Sequence, residues 1–238
     1  MTTTFPVVNR MNQQVSAWES QNDRRSIFLN CYALMTTNML RAVEDQQFHD
    51  SPWVTELLHR FADYYFDALT AYDARSTAPA VWQLAFDAAV DSRYHVLQHL
   101  ILGVNAHINY DLVFVLVDML CCEWNDLTPQ QRQSRYEDHC LVNTIIYQTI
   151  DIVQDQVVER YSPAMDLVDK AMLRADEWLL HKMIATWREE VWHGAHQLLA
   201  CDCQSDTERV SQQVEQRTVH RAHAILGQRG VRGLLELM

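Results

Sequence analysis

Residues 94–116 read YHVLQHLILGVNAHINYDLVFVL and form the most apolar part of the chain. This stretch nevertheless contains three histidines, two asparagines and one aspartate. Five of its residues follow one another at intervals of four: His95, His99, Gly103, His107 and Asp111. On a helix, residues at this spacing stack along one side, and the row drifts by about 40° per step. We therefore expect a central helix that carries a polar row, and we place the candidate functional site on it.

Gly103 lies in the middle of this predicted helix. A glycine inside a helix costs about 1 kcal/mol of stability relative to alanine. Its missing side chain therefore indicates either the close approach of a neighbouring helix or room for a ligand.

Composition limits the kind of protein and the compartment. The chain has 238 residues, of which 48% are hydrophobic, and a net charge of −12. An acidic protein lacks the clustered Lys and Arg that nucleic acids and anionic membrane surfaces require, so we expect neither partner. The N-terminal residues lack the basic segment and apolar core of a signal peptide. Six cysteines in no disulfide framework, including Cys201 and Cys203, favour a reducing compartment, and we expect a cytoplasmic protein.

The fold class predicted is all-α. Glycine and proline together occupy only ten positions, and no run of residues alternates as a strand would. We expect a bundle of about seven to nine helices in one domain over residues 1–238, with flexible ends at 1–7 and 228–238. A first helix is expected from about Val8. Cap and proline signals predict further helix starts at Asn22-Asp23, Ser51-Pro52, Pro79, Asp91-Ser92, Thr128-Pro129, Ser162-Pro163 and Ser205. Capping boxes are predicted at Thr128–Gln131 and Ser205–Glu208, and the helix from Thr128 could bend or break near Asp138.

The sequence also resembles a known family. Residues 103–112 read GVNAHINYDL, which is similar to the signature Gly-Met-Asn-Ala-His-Ile-Asn-x-Asp-Leu of a bacterial family described only as a domain of unknown function. Val104 replaces the usual Met. Further matches, His99 among them, extend the resemblance over about residues 20–200; they include Asp23-Arg24-Arg25, Phe28, Tyr32, Thr36, Phe61-Ala62, Tyr65, Trp82, Ala85-Phe86, Asp138, Asn143, Arg188 and Trp192. The resemblance implies a helical bacterial protein with its site on the central helix, and implies no reaction.

His107 and Asp111 are the leading candidates for that site. Side chains four apart on a helix can share one divalent metal ion such as zinc, or the carboxylate can fix the tautomer of the imidazole. His99 is about 12 Å away along the helix axis, so a single ion would need ligands from another helix. The candidates for those ligands are Asp138, His139, His181, Glu189, His193 and His196. Alternatively, Asn105, His107 and Asp111 form a buried hydrogen-bond network that fixes helix packing.

A second polar cluster lies at residues 189–196, EEVWHGAH. Glu189, His193 and His196 fall on neighbouring helix positions and could contribute to a carboxylate-bridged metal pair, but they also fit a solvated face. The adjacent Arg188 would bind an anion or pair with Asp111 or Asp138.

Two functions are compatible with these residues. In the first, the protein is a hydrolase-like enzyme acting on a small molecule. His107 would then be the general base or a metal ligand, Asp111 would orient it, Asn105 and Asn143 would position a polar group, and Arg188 would hold an anion, with His99 nearby. In the second, the protein is a non-catalytic module that binds a small ligand or a partner protein. The substrate, the cofactor, if any, and the oligomeric state are open.

Overall fold

The computed structural model describes residues 5–153, 159–161 and 177–228. In these residues the chain is all-α, as the composition predicts, and contains no strand. The helices are α1 (Pro6–Ser20), α2 (Arg25–Glu44), α3 (Ser51–Asp73), α4 (Ala80–Val90), α5 (Val96–Ala106), α6 (Leu112–Leu120), α7 (Pro129–Val153), the single turn α8 (Glu159–Tyr161), α9 (Glu177–Leu199) and α10 (Gln204–Gly227). A π-helical turn, His107–Asp111, joins α5 to α6.

The capping box predicted at Thr128 is confirmed. The Gln131 backbone N–H donates to Thr128 Oγ1 at 3.3 Å, and the Thr128 N–H donates to Gln131 Oε1 at 2.9 Å. The two reciprocal bonds satisfy donors that the first turn of α7 would otherwise leave unpaired. From this start α7 stays helical to Val153, without the break considered near Asp138.

Other predicted helix starts are shifted. Asp50, and not Ser51, caps α3 by accepting a hydrogen bond from the Trp53 N–H. The central helix begins at Val96 with His95 as its cap, because the His95 Nδ1 accepts from the Leu97 N–H and Gln98 reaches back to the His95 N–H. The box predicted at Ser205 does not form, and α10 starts one residue earlier without a side-chain cap. The Ser162-Pro163 signal lies outside the described residues.

The ends of the chain follow the prediction only in part. Pro6 and Val7 belong to α1, although residues 1–7 were expected to be flexible. Residues 1–4 and 229–238 lie outside the described part. One hydrophobic cluster connects Val7 in α1 with Ile225 in α10. The single domain stays a prediction, and this shared core is compatible with it.

The central helix lies inside the bundle. The helical stretch Val96–Leu120 contains an 18-residue window with a mean hydropathy of 1.7, and its length and composition would suit a membrane span. In the fold, however, 78% of its most apolar window is buried by the other helices. Helix α2, α4 and α10 pack on its first half, and α3 and α9 on its second half. The apolar composition is thus that of a core helix with neighbours on several sides.

Gly103 allows one of these neighbours to approach. A Cβ atom built at Gly103 would lie 2.3 Å from Cγ of Phe28 on α2, far inside the sum of the atomic radii. The ring of Phe28 therefore occupies the space that any other residue would fill. Of the two explanations offered for this glycine, the close approach of a neighbouring helix is the one that the structure shows.

Candidate functional site

His107 and Asp111 form a buried pair at the two ends of the π-helical turn. The Nδ1 atom of His107 lies 3.0 Å from Oδ2 of Asp111. The two residues are 3% and 1% exposed. A π turn inserts an extra residue into an α-helix, and such turns are frequent at functional sites because they redirect side chains. We refer to His107 and Asp111 as the dyad.

Trp82 on α4 holds the carboxyl group of the dyad. Its indole Nε1 atom lies 3.0 Å from both Oδ1 and Oδ2 of Asp111, so the N–H group donates to the carboxyl group. Burial raises the pKa of Asp111 well above its usual value, and the Trp82 hydrogen bond offsets only part of that rise. Burial also lowers the pKa of His107 well below its usual value.

Both shifts have the same cause, since burial disfavours the charged form of either group. They favour a neutral pair, in which a protonated Asp111 stands beside a neutral imidazole, over an ion pair. In the neutral pair the carboxyl O–H donates to Nδ1 of His107. The ring hydrogen of His107 is then on Nε2, which becomes a hydrogen-bond donor.

Aromatic rings fix the orientation of the imidazole. The ring of Phe61 on α3 stacks on His107 with 3.5 Å between centroids and 5° between planes. The ring of Tyr32 on α2 meets it edge to face at 4.2 Å. Phe28 adds a further edge contact at 5.8 Å. The imidazole therefore cannot rotate freely, and Nε2 keeps one direction.

The dyad borders an internal cavity of about 160 Å³. Helices α2, α3, α5, α7 and α9 enclose this space, which we call the central cavity. Its walls are almost entirely aliphatic and aromatic, and include Met35, Met39, Leu57, Phe61, Ile101, Val104, Val142, Ile146, Ile150 and Met183. The polar residues among its lining are few: Tyr32, Thr36, His107 and Arg188.

Three polar atoms at this cavity have no hydrogen-bond partner among the described residues. They are Nε2 of His107, the hydroxyl of Tyr32 and the hydroxyl of Thr36. Tyr32 and Thr36 lie close enough for an interaction that lowers the pKa of the tyrosine slightly, but they make no hydrogen bond of normal geometry. Burial outweighs that effect and raises the pKa of Tyr32. An unpaired buried polar atom costs about 1–3 kcal/mol, so a ligand that satisfies these atoms gains that energy.

Arg188 and Asn143 lie together at the side of the cavity formed by α7 and α9. The Nε–H of Arg188 donates to Oδ1 of Asn143 at 2.7 Å. Arg188 does not pair with Asp111 or Asp138. Asp138 instead accepts from the backbone N–H groups of His49 and Asp50 at 2.7 and 2.9 Å.

Asn105 and His99 lie away from the cavity. Of the other predicted site residues, His107 and Arg188 line the cavity, and Asp111 and Asn143 bond to these two. Asn105 donates from Nδ2 to the Thr218 carbonyl on α10 at 3.0 Å and accepts from Asn109 at 3.0 Å. It therefore ties α10 to the central helix, as the alternative of a packing network proposes. His99 lines a separate space of about 10 Å³ beside Arg24 and Gly103.

The candidates for further metal ligands do not join the dyad. Within residues 5–153, 159–161 and 177–228, no group of three or more His, Cys, Asp or Glu side chains is arranged to hold a metal ion. His139 bonds to Arg188, and the ring of His181 packs at a tilt against Tyr147. His193 and His196 bond to carbonyl groups of their own helix. Glu189 accepts from the Tyr136 hydroxyl at 3.0 Å. Residues 189–196 thus match a partly solvated face.

Sequence reasoning missed the residues that complete the site. Tyr32, Phe61 and Trp82 are matches of the family resemblance, but nothing in their spacing indicates the contacts with the dyad. The one signal for Trp82 is chemical, because a buried indole N–H needs an acceptor and the central helix offers few.

The fold and the site together define a helical protein with a buried His–Asp pair beside an apolar cavity. The chain belongs to a family of unknown function, DUF5995, whose family model matches residues 5–228. This confirms the family resemblance as one to a domain of unknown function. No curated protein and no solved structure matches the chain at a significant level.

Proposed function

We propose that the protein binds a small, largely apolar molecule in the central cavity, and that His107 forms a hydrogen bond with the polar group of that molecule. The observation that carries this proposal is the unpartnered Nε2 of His107, in a residue only 3% exposed, at the wall of an apolar cavity. Ligand sites are mostly apolar with a small number of placed polar groups, and this cavity has that composition.

The size of the cavity limits the ligand. Its volume of about 160 Å³ is close to that of an engineered apolar cavity of about 150 Å³ that stays dry and accepts benzene. A molecule of roughly six to ten non-hydrogen atoms suits such a space. In the neutral state of the dyad, Nε2–H donates, so the ligand presents an oxygen acceptor.

A second candidate is an enzyme that uses the dyad for acid–base chemistry on the bound molecule, including hydrolysis. The arrangement that favours it is the 3.0 Å contact between Nδ1 of His107 and the carboxyl group of Asp111, which holds the imidazole with Nε2 toward the cavity. A base at Nε2 requires ionised Asp111, with the ring hydrogen on Nδ1. A divalent metal on the dyad would need a further ligand from outside the described residues.

Calorimetric titration with 1-hexanol tests the binding proposal. We expect wild-type protein to bind this probe and Val142→Phe, which fills the cavity, to lose binding. Val219→Phe on α10 makes the same change on a partly exposed residue outside the cavity lining and should bind like wild type. His107→Phe keeps the stacking on Phe61 but removes Nε2, and should bind about tenfold more weakly.

The outcomes separate the two candidates. Equal binding by the wild type and Val142→Phe would refute the cavity as the site. Hydrolysis of phenyl acetate by wild type, with loss of the activity in His107→Phe and not in Val219→Phe, would favour the enzyme.

A further inference from the structure

Arg188 is a buried cation without an anionic partner. It lies on α9, is 4% exposed and lines the central cavity. Its guanidinium bonds to three acceptors, and all three are neutral. Nε donates to Asn143 Oδ1, and Nη2 donates to the His139 carbonyl at 2.8 Å and to His139 Nδ1 at 3.2 Å.

His139 is itself held neutral. Its Nε2–H donates to the Arg188 carbonyl at 3.0 Å, which leaves Nδ1 free to accept from Arg188. Burial lowers the pKa of His139, and the neighbouring charge of Arg188 lowers it further. The two residues thus fix each other, and the guanidinium is locked in one orientation before any ligand is present.

The charge of Arg188 is not compensated by these contacts. Burial lowers its pKa to about 10, so it is still protonated at neutral pH. The neighbouring thiol of Cys140 raises that pKa only in part, and no carboxylate of the described residues forms an ion pair with Arg188. Nη1 makes no hydrogen bond within the described part of the chain. Buried charges in proteins are almost always paired, so this guanidinium lacks a partner that a ligand can supply.

We infer that the ligand of the central cavity is a small monocarboxylic acid. Its carboxylate accepts from the guanidinium of Arg188 and from Nε2–H of His107, the two nitrogen donors that line the cavity, and its hydrocarbon part lies against the aliphatic wall. This inference rests on the proposed function, since it names the ligand class of the same cavity. A carboxylate suits the site because a charge-assisted hydrogen bond to arginine is stronger than a neutral one. The guanidinium already loses its contacts with water when the protein folds. A bound carboxylate therefore gains the hydrogen bond to Arg188 without that further loss.

The aliphatic wall and Arg188 together select against other ligand classes. A dianion such as phosphate has no hydrocarbon part to cover the apolar lining. A neutral alcohol or hydrocarbon covers the lining and leaves the charge of Arg188 unpaired. Only an amphipathic monoanion satisfies both parts of the cavity.

Titration of the full-length protein with hexanoate and with 1-hexanol at pH 7.5 tests the inference. The two probes share their alkyl chain and differ in charge. We expect hexanoate to bind wild type at least tenfold more tightly than 1-hexanol. Arg188→Met should reverse that order, and Arg188→Lys should retain part of the preference for hexanoate.

The wild-type comparison decides the inference without relying on the folding of a variant. Binding of 1-hexanol equal to or tighter than that of hexanoate would overturn the monocarboxylate inference and leave the proposed binding function intact. Failure of both probes to bind would overturn the two together. An unchanged preference for hexanoate in a folded Arg188→Met variant would place the carboxylate elsewhere and also overturn the inference.

Discussion

Two acid–histidine pairs in this protein share the spacing of four residues and differ in everything else. In the dyad, Nδ1 and the carboxyl oxygen are 3.0 Å apart and the side chains are 4% and 2% exposed. In Glu189 and His193 the corresponding atoms are 3.5 Å apart and the side chains are 44% and 68% exposed. The first pair adjoins an apolar cavity, whereas the second faces solvent on α9. Spacing on a helix therefore identifies both pairs, and burial decides which has chemical consequences.

The two pairs should differ most in the free energy of unfolding that is lost when the carboxyl group is removed. Asp111→Ala leaves the Trp82 N–H and Nδ1 of His107 without partners, and we expect a loss of roughly 4 kcal/mol in the free energy of unfolding. Glu189→Ala should change it by less than about 0.5 kcal/mol, because exposed pairs contribute little. Urea denaturation measures both values. Similar losses in the two variants would contradict the distinction.

The charge of the dyad can be tested with Asp111→Asn. The amide can accept from Trp82 and donate to Nδ1 of His107, as a protonated carboxyl group does. If the neutral pair is correct, this variant should lose less than about 1 kcal/mol at pH 7. A loss as large as that of Asp111→Ala would show that the carboxyl group is ionised.

The loss of folding stability at acid pH should come from the buried histidines. Burial lowers the pKa of His99 to about 4, with a contribution from Arg24, and burial also lowers the pKa values of His107 and His139. Because the unfolded chain binds protons at a higher pH than the native histidines do, stability should fall as the pH drops below about 6.5. For His99 alone, the loss between pH 7 and pH 4 should approach about 3 kcal/mol.

Asp111 acts in the opposite direction. Its folded pKa is raised, so the stability that it contributes is present at low pH and is lost as the pH rises through that pKa.

His99→Met removes a titrating group whose nitrogens have no hydrogen bond of normal geometry. It should flatten the fall between pH 6.5 and pH 4 in denaturation curves recorded at several pH values. An unchanged slope would show that His99 titrates normally.

Gly103 and Gly194 both lie inside helices, and the effects of replacing them on stability give the smallest and most closely matched contrast. At Gly103 an added methyl group would meet Phe28, and we expect Gly103→Ala to destabilise the protein by about 1–2 kcal/mol despite the better helix propensity of alanine. At Gly194 the nearest atoms are 3.9 Å away, so Gly194→Ala should be neutral or stabilising by up to about 1 kcal/mol. Thermal denaturation compares the two, and equal effects would contradict the account of Gly103.

Much of the fold and the position of the site follow from the sequence. The stretch around His107 predicts a central helix with a polar row because its apolar residues surround polar ones at intervals of four. Gly103 predicts either a close helix approach or room for a ligand, and the structure shows the first. The Thr128 box is local, so it is readable from four residues. The start of the central helix at His95 was missed because a histidine is an uncommon cap.

The rest of the site depends on contacts that are distant in the sequence. Asn105 and His107 are two residues apart and therefore point to different sides of the helix. Only the packing of the other helices shows that the first binds α10 and that the second faces the cavity. The pairing of Arg188 with His139 and Asn143 joins two helices about 45 residues apart. Periodicity carries no information on such contacts.

Nitrogen-15 NMR of the His107 imidazole, with and without 1-hexanol, tests the central claim most directly. If His107 is the polar contact of the cavity, we expect Nε2 to carry the ring hydrogen at pH 7 and its resonance to move on addition of the probe. The resonances of His193, on the exposed pair, should remain in place. Binding of 1-hexanol that leaves the Nε2 resonance unchanged would contradict the assignment of His107 as the polar contact of the cavity.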